Sequence, residues 1–408
     1  MKLIPRNNYM DFLLRHKDQP LIKVVSGVRR CGKSTLFALY QQYLAAHGVD
    51  PLRMLSINFE DLANEPLCEY HTLHQYILDR LQPGGKNYIF LDEIQQVPHF
   101  EKAVDSLFLR DDVDLYLTGS NGYFMSGELA TLLSGRYVEL SMLPLSFAEF
   151  VQGSGTEGAS LASLYDRYVR QSAFPYALQL HDEAAVLDYL RGIYNTILLK
   201  DVLQRLGSGD PSVLERIMKY LAANIGSLLS PHKIANSLTS AGRKTDNKTV
   251  ERYLQGLKDS LAVYQADRFD VRGKGLLKVN AKYYLVDPAL RRLLVSDTTR
   301  DTGHILENVV YLELRRRNEA VYVGQTGDGE IDFVTEGPSG RAYYQVSEST
   351  LQPEVLAREL RPLEALHDQY PKYLLTLDEI TAEANYNGIR KRNILQWLLG
   401  KNAPATGI

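Results

Sequence analysis

Cysteine is nearly absent: Cys31 and Cys68 are the two present in 408 residues. Two thiols allow neither a disulfide framework nor a four-cysteine zinc site. They suit a reducing compartment, so a cytoplasmic location is expected. An excess of one charge is also missing. Lys and Arg number 46 against 49 Asp and Glu, a net charge of −3, so any hold on nucleic acid must come from a local basic patch. No window approaches the roughly 18 unbroken apolar residues of a membrane helix, and no membrane partner is expected. The first twenty residues are charged throughout and lack an apolar core before a small-residue cleavage site, so they do not read as a leader. Repeats and low-complexity tracts are lacking as well. What remains is the composition of a globular protein, 45% hydrophobic and 23% charged, at a length that implies two to four domains.

The segment LIKVVSGVRRCGKSTLFALYQQYLAAHG reads as a short buried strand, a turn and an amphipathic helix stopped by Gly48. Its turn, Gly27-Val28-Arg29-Arg30-Cys31-Gly32-Lys33-Ser34, fits G-x-x-x-x-G-K-[ST] at every fixed position, and Thr35 extends the phosphate-binding stretch. Glycines let successive backbone N–H groups curl around a phosphate, and the helix N-terminus adds its positive dipole. Lys33 is placed to reach the β- and γ-phosphates, and the Ser34 hydroxyl to ligate Mg²⁺.

A second strand, residues 87–91, ends in Asp92-Glu93. Asp92 suits Mg²⁺ held through water, and Glu93 a general base polarising the attacking water. A third strand, Val113–Thr118, runs into Gly119-Ser120-Asn121, where Asn121 or Ser120 could contact the γ-phosphate or the water. The expected cofactors are therefore ATP and Mg²⁺, and the expected activity is ATP hydrolysis.

These residues, with Leu133-Ser134-Gly135-Arg136 and the stretch LPLSFAEF at 143–150, resemble a large bacterial and archaeal family of AAA-type P-loop ATPases with a C-terminal domain of unknown function. The resemblance covers nearly the whole chain. It implies an α/β fold with an AAA-like parallel-sheet core, and adenine as the base. Arg136 matches the arginine of the family's G-R element. The resemblance implies that it stabilises phosphate charge from the same or a neighbouring subunit, the latter requiring a homo-oligomer; a structural salt bridge is the competing reading.

The expected organisation is an ATPase core at 1–155, a helical lid or linker region at 156–209, a winged-helix domain at 210–297, a nuclease-like α/β domain at 298–400 and a frayed tail at 401–408. The winged-helix reading rests on three helical stretches followed by two strand-like runs joined at Arg272-Gly273-Lys274-Gly275. Lys244, Lys248, Thr249, Arg252, Arg272 and Lys274 form a patch that could meet DNA phosphates, diluted by Asp246, Glu251 and Asp259. Docking of a protein is the other reading. The order of elements after residue 304 resembles the restriction-endonuclease-like superfamily, whose metal site would fall on Glu307, Asp332 and Gln345. Ser347 stands where its lysine belongs, and nothing in the sequence argues that Lys372 or Arg341 substitutes for it, so nuclease activity is not expected. Arg315, Arg316 and Arg317 either touch a phosphate backbone or complement their helix dipole.

Three functions remain in view. The first is an ATPase acting on or regulated by DNA. The second is a nucleotide-controlled switch or assembly protein with protein partners, and the third an ATP-gated structure-specific nuclease.

Overall fold

The structure, a computed structural model, describes residues 3–119, 133, 135–155, 158–203, 206–207, 209–273, 275–295, 302–318, 320–327, 329–337 and 340–400. The chain divides into two compact units. One is Met1–Pro144 with Asp259–Leu261, and the other is Leu145–Lys258 with Ala262–Ile408.

The first unit opens with α1 (Asn7–Arg15), followed by β1 (Ile22–Gly27), α2 (Lys33–Ala46), β2 (Met54–Asn58) and α3 (Tyr70–Leu78). β3 (Asn87–Asp92), α4 (Phe100–Phe108), β4 (Val113–Gly119) and β5 (Tyr137–Met142) complete it. Its five strands lie in the order β2-β3-β4-β1-β5, all parallel. β1, β3 and β4 are buried along their whole length, as central parallel strands covered on both faces must be. The period of two divides their side chains between two cores. Ile22, Val24, Ile89, Leu91, Leu115 and Leu117 pack with Leu73 and Ile77 of α3 and with Val104 and Leu107 of α4. On the other face Phe90 stacks on Tyr116 at 4.9 Å, and both meet Phe37 and Tyr40 of α2.

That second face also buries an ion pair, Lys23 of β1 with Asp114 of β4. Asp114 additionally accepts bonds from the Tyr116 hydroxyl at 2.8 Å and the Asp18 N–H at 3.0 Å. Two charges between strands are tolerated because further bonds serve both, the Lys23 ammonium donating also to the Gln19 carbonyl at 2.9 Å.

The second unit begins with α5 (Phe147–Ser154), α6 (Leu161–Gln171) and α7 (Glu183–Asn195), which runs on as a π-helical segment, Thr196–Leu203. Ser146 caps α5 by accepting the Glu149 N–H, and Glu149 returns the bond to the Ser146 N–H. The S-F-A-E-F stretch is thus a helix-start signal. Next come α8 (Pro211–Ala223), α9 (Pro231–Ser240), α10 (Asn247–Asp259) and the antiparallel pair β6 (Val263–Asp270) and β7 (Gly275–Leu285). The remainder is α11 (Leu290–Leu294), α12 (Thr302–Arg317), β8 (Ala320–Thr326), β9 (Gly329–Gly337), β10 (Gly340–Ser347), α13 (Pro353–Glu364), β11 (Lys372–Thr376), β12 (Ala384–Tyr386), β13 (Ile389–Asn393) and α14 (Ile394–Leu398).

All eight strands of this unit form one mixed sheet in the order β12-β13-β11-β10-β9-β8-β6-β7. The hairpin that sequence order assigns to a winged helix therefore continues the sheet of the following α/β region, because β6 pairs parallel with β8. Ile331, Val334, Tyr343, Leu374 and Ile389 of this sheet pack with Leu360 and Leu363 of α13. Among the described residues no helix is long and apolar enough to cross a membrane.

Asp114→Ala leaves the Lys23 ammonium buried without its carboxylate, and should cost about 3–5 kcal/mol of stability. Urea denaturation followed by near-UV circular dichroism measures this. A loss below about 1 kcal/mol would mean that the pair is dispensable to the sheet.

Candidate functional site

The residues of the phosphate turn, Asp92 and Glu93 converge at the C-terminal edge of the sheet of the first unit, because β1, β3 and β4 are parallel and all end there. Gly27 closes β1, and β5 leaves a side chain no room at that point. A Cβ on Gly27 would lie 2.5 Å from the Met142 carbonyl oxygen and 2.8 Å from the Cys31 sulfur. The turn then uses positive φ at Arg30 (66°) and Gly32 (106°) to aim the start of α2 back at the strand.

Lys33 is buried, and its ammonium donates to the Gly27 carbonyl at 3.0 Å and meets Glu93 Oε1 at 3.2 Å. Ser34 is exposed. Its hydroxyl hydrogen-bonds the Asp92 side chain. Burial pushes the Asp92 carboxyl above its ordinary range, against the bonds from Ser34 and Thr118 that hold it down. A hydroxyl beside a buried carboxylate is a hard-oxygen donor set that fits Mg²⁺.

Glu93 sits just past the strand at φ 57° and accepts a bond from Gln95 Nε2 at 2.5 Å. Val28 and Cys31 are fully buried beneath the turn, and burial pushes the Cys31 thiol up, so it packs rather than reacts. Arg29 pairs with Glu60 at 2.6 Å, Arg30 is exposed, and Thr35 is half-buried in the first turn of α2.

Two residues at this edge escape sequence reading. Thr118, fully buried, donates to Asp92 Oδ1 at 2.5 Å and accepts the Glu93 N–H at 2.9 Å, so β4 holds the Asp92 carboxylate and the Glu93 backbone. The signal was present as a hydroxyl at the end of the strand, but its meaning depends on β4 lying between β1 and β3. Arg6 is buried and donates to the carbonyls of Cys31 at 3.1 Å and Leu143 at 2.7 Å, tying the turn to the end of β5. Asn121 and Ser120 lie outside the described residues.

Arg136 is not brought to the phosphate turn. It precedes β5 at the opposite edge, where its carbonyl accepts the Ile22 N–H at 2.9 Å. In register, Ile22 faces Tyr137 and Gly27 faces Met142, so a strand's length of about 17 Å separates Arg136 from the turn. Its exposed guanidinium lies 5.5 Å over Phe108 on α4.

In the second unit α10 exposes Lys248 and Arg252, with Glu251 between them and Asp246 capping Thr249 at 2.8 Å. Lys244 and Arg272 are exposed, and Lys274 lies outside the described residues. The nuclease-like residues do come together. Glu307 of α12 and Asp332 of β9 both face Lys282 of β7, and burial, followed by the charge of Glu307, pushes the Asp332 carboxyl up to about 8. Gln345 accepts the Asp332 N–H at 3.4 Å and donates to Glu359 at 2.9 Å.

Ser347 bonds the Ser349 carbonyl, Lys372 the Asp368 carbonyl and Arg341 the Glu336 carboxylate, so none of these three serves the cluster. Arg316 and Arg317 both bond Glu313, and Arg317 also stacks 4.3 Å over Trp397. They are committed within the fold.

Comparison with known proteins agrees with this architecture. A family model described as "AAA domain" matches residues 19–151, and one described as a domain of unknown function (DUF8612) matches residues 162–301. A Walker-type ATPase of Pyrococcus abyssi is similar in structure at a TM-score of 0.49 and 15% identity, covering 71% of this chain and 95% of that one. An uncharacterized protein of Methanocaldococcus jannaschii is 29% identical over 356 residues, 83% of this chain and 78% of that protein. An uncharacterized protein of Haemophilus influenzae is 38% identical over 404 residues, 97% of this chain and 99% of that protein. The chain therefore belongs to the same family as the Haemophilus influenzae protein, a family of AAA-type P-loop proteins built on a nucleotide-binding fold.

Proposed function

We propose that the chain hydrolyses ATP at the edge formed by Gly27–Thr35, Asp92, Glu93 and Thr118. The supporting observation is the buried Lys33 ammonium, held between the Gly27 carbonyl and Glu93 beside an Asp92 carboxylate bonded to a hydroxyl on either side. Backbone N–H groups of the turn would cradle the phosphates, with Lys33 on the β- and γ-phosphates. Ser34 and Asp92 would hold Mg²⁺, which neutralises phosphate charge when bound. Glu93 takes the part of general base, and Thr118 holds the Asp92 carboxylate and the Glu93 backbone in place.

Glu93 is bonded to Lys33, so the base is released only when phosphate oxygens take over the ammonium. That exchange favours a second reading alongside the first. Nucleotide binding itself would be the switching event, with slow hydrolysis as the reset and protein partners reading the two states. An action on DNA draws support from the exposed Lys248 and Arg252 of α10 and from the order of elements that resembles a winged helix.

Arg136, a strand's length from its own phosphate turn, can act on a γ-phosphate only from a neighbouring copy. ATP turnover per chain should then rise with protein concentration in the wild type and stay flat in Arg136→Ala. Parallel behaviour of the two would assign Arg136 to its contacts with α4.

Lys33→Ala should lose nucleotide binding in calorimetric titration. Glu93→Gln should keep binding and lose about 10²- to 10⁴-fold in kcat. Thr118→Val should keep binding and turn over about 10- to 100-fold more slowly. Wild-type hydrolysis surviving in either of the first two variants would remove the assigned chemistry. Steady-state ATPase assays with single-stranded, duplex and four-way-junction DNA separate the remaining readings. Stimulation by one form supports action on DNA, and a slow rate indifferent to all three supports the switch.

A further inference from the structure

The nuclease-like cluster of the second unit holds a cation of its own. Lys282 of β7 places its ammonium 2.9 Å from Glu307 Oε1, 2.8 Å from Glu330 Oε1 and 3.8 Å from Asp332 Oδ1, with only 4% of its side chain exposed. Glu307 and Asp332 are the two carboxylates that the superfamily resemblance assigns to a divalent metal. We infer that the Lys282 ammonium takes the place of that metal, and that this region is a metal-independent, non-cleaving module.

Several of the oxygens a metal would need already accept hydrogen bonds. Glu307 Oε1 accepts from Lys282 and also from the Tyr284 hydroxyl at 2.5 Å. Asp332 Oδ2 accepts the Val346 N–H at 2.8 Å. The Gln345 carbonyl accepts the Asp332 N–H, and its amide donates to Glu359. A Mg²⁺ bound to Glu307 Oε1 at about 2.1 Å could lie no more than about 5 Å from the ammonium, which is itself 2.9 Å from that oxygen. Two cations that close in a buried site repel strongly, so the ammonium weakens any hold on the ion.

Neighbouring geometry agrees. The turn at Gly226 (φ 72°) passes so near that a Cβ there would lie 2.9 Å from Glu307 Oε2. The adjoining cleft of about 740 Å³ is lined by Glu307 but reaches neither Lys282 nor Asp332. Among the described residues no group of three or more His, Cys, Asp or Glu is arranged to hold a metal ion. A lysine that activates water in a metal-dependent nuclease works beside the ion, whereas this one stands among the ligands. It joins β7 to α12 and β9, so the charge that would have served cleavage locks the hairpin to the sheet.

Calorimetric titration of the full chain with Mn²⁺ tests this, comparing wild type, Asp332→Asn, Lys282→Ala and the double variant. Any Mn²⁺ bound at Asp92 is common to all four and cancels. Wild type and Asp332→Asn should give the same isotherm. Lys282→Ala should bind one additional Mn²⁺ that the wild type does not bind, and the double variant should lose it. An Asp332-dependent Mn²⁺ site in the wild type would overturn the inference, as would a folded Lys282→Ala that gains no ion. Should Lys282→Ala not fold, the comparison of wild type with Asp332→Asn still decides.

Discussion

A buried ammonium cannot be left alone, and the arrangement of the first unit follows from that constraint at Lys33. The phosphate turn brings Lys33 back under the end of its own strand, where the Gly27 carbonyl accepts one bond and Glu93 supplies the counter-charge. Glu93 can do so only because β3 ends beside the turn, and β3 ends there because β4 separates it from β1 by one strand. The same inserted strand delivers Thr118 to Asp92 and to the Glu93 backbone. A Cβ at Gly27 would strike β5, so the glycine admits the fold as well as the phosphate. Arg6 fastens the underside of the turn to the end of β5.

The same constraint recurs along the chain. Lys23 pairs with Asp114 between two central strands, Lys282 with Glu307 and Glu330, and Lys391 with Asp378 at 2.8 Å. Each lysine is at most 4% exposed. Removing one partner leaves an uncompensated charge, so such pairs are costly to break even where they add little net stability. They also fix register, because a strand shifted by one residue would turn its lysine away from the carboxylate. At β13 this is visible in the pattern itself: Ile389, Lys391 and Asn393 point inward while Arg390 is exposed.

The two units use buried lysine to different ends. In the first, the ammonium lies in the P-loop turn, paired with Glu93 and the Gly27 carbonyl. In the second, Lys282 is enclosed by groups of its own fold, and the pairing holds secondary structure together. The difference lies in what surrounds each ammonium: a turn with an exposed Ser34 at Lys33, and carboxylates that also accept from the Tyr284 hydroxyl and the Val346 N–H at Lys282.

Local sequence determined the elements that carry short-range rules. The phosphate turn, the strands ending at Asp92 and Gly119, the capping box at Ser146 and Glu149, and the main order of helices and strands from residue 210 to β11 follow from spacing and turn chemistry. The family and the α/β class were legible for the same reason. β12 and β13 were not, because a strand reading Ile-Arg-Lys-Arg-Asn shows no apolar alternation until Asp378 neutralises Lys391. Nor were Thr118, Arg6 and Lys282, whose partners lie 26, 25 and 25 residues away. Only the tertiary structure decided that Arg136 stands at the far edge of its sheet, that β6 joins β8, and that a lysine from a hairpin fills a carboxylate cluster. These are consequences of strand order and register, which no local pattern of residues encodes.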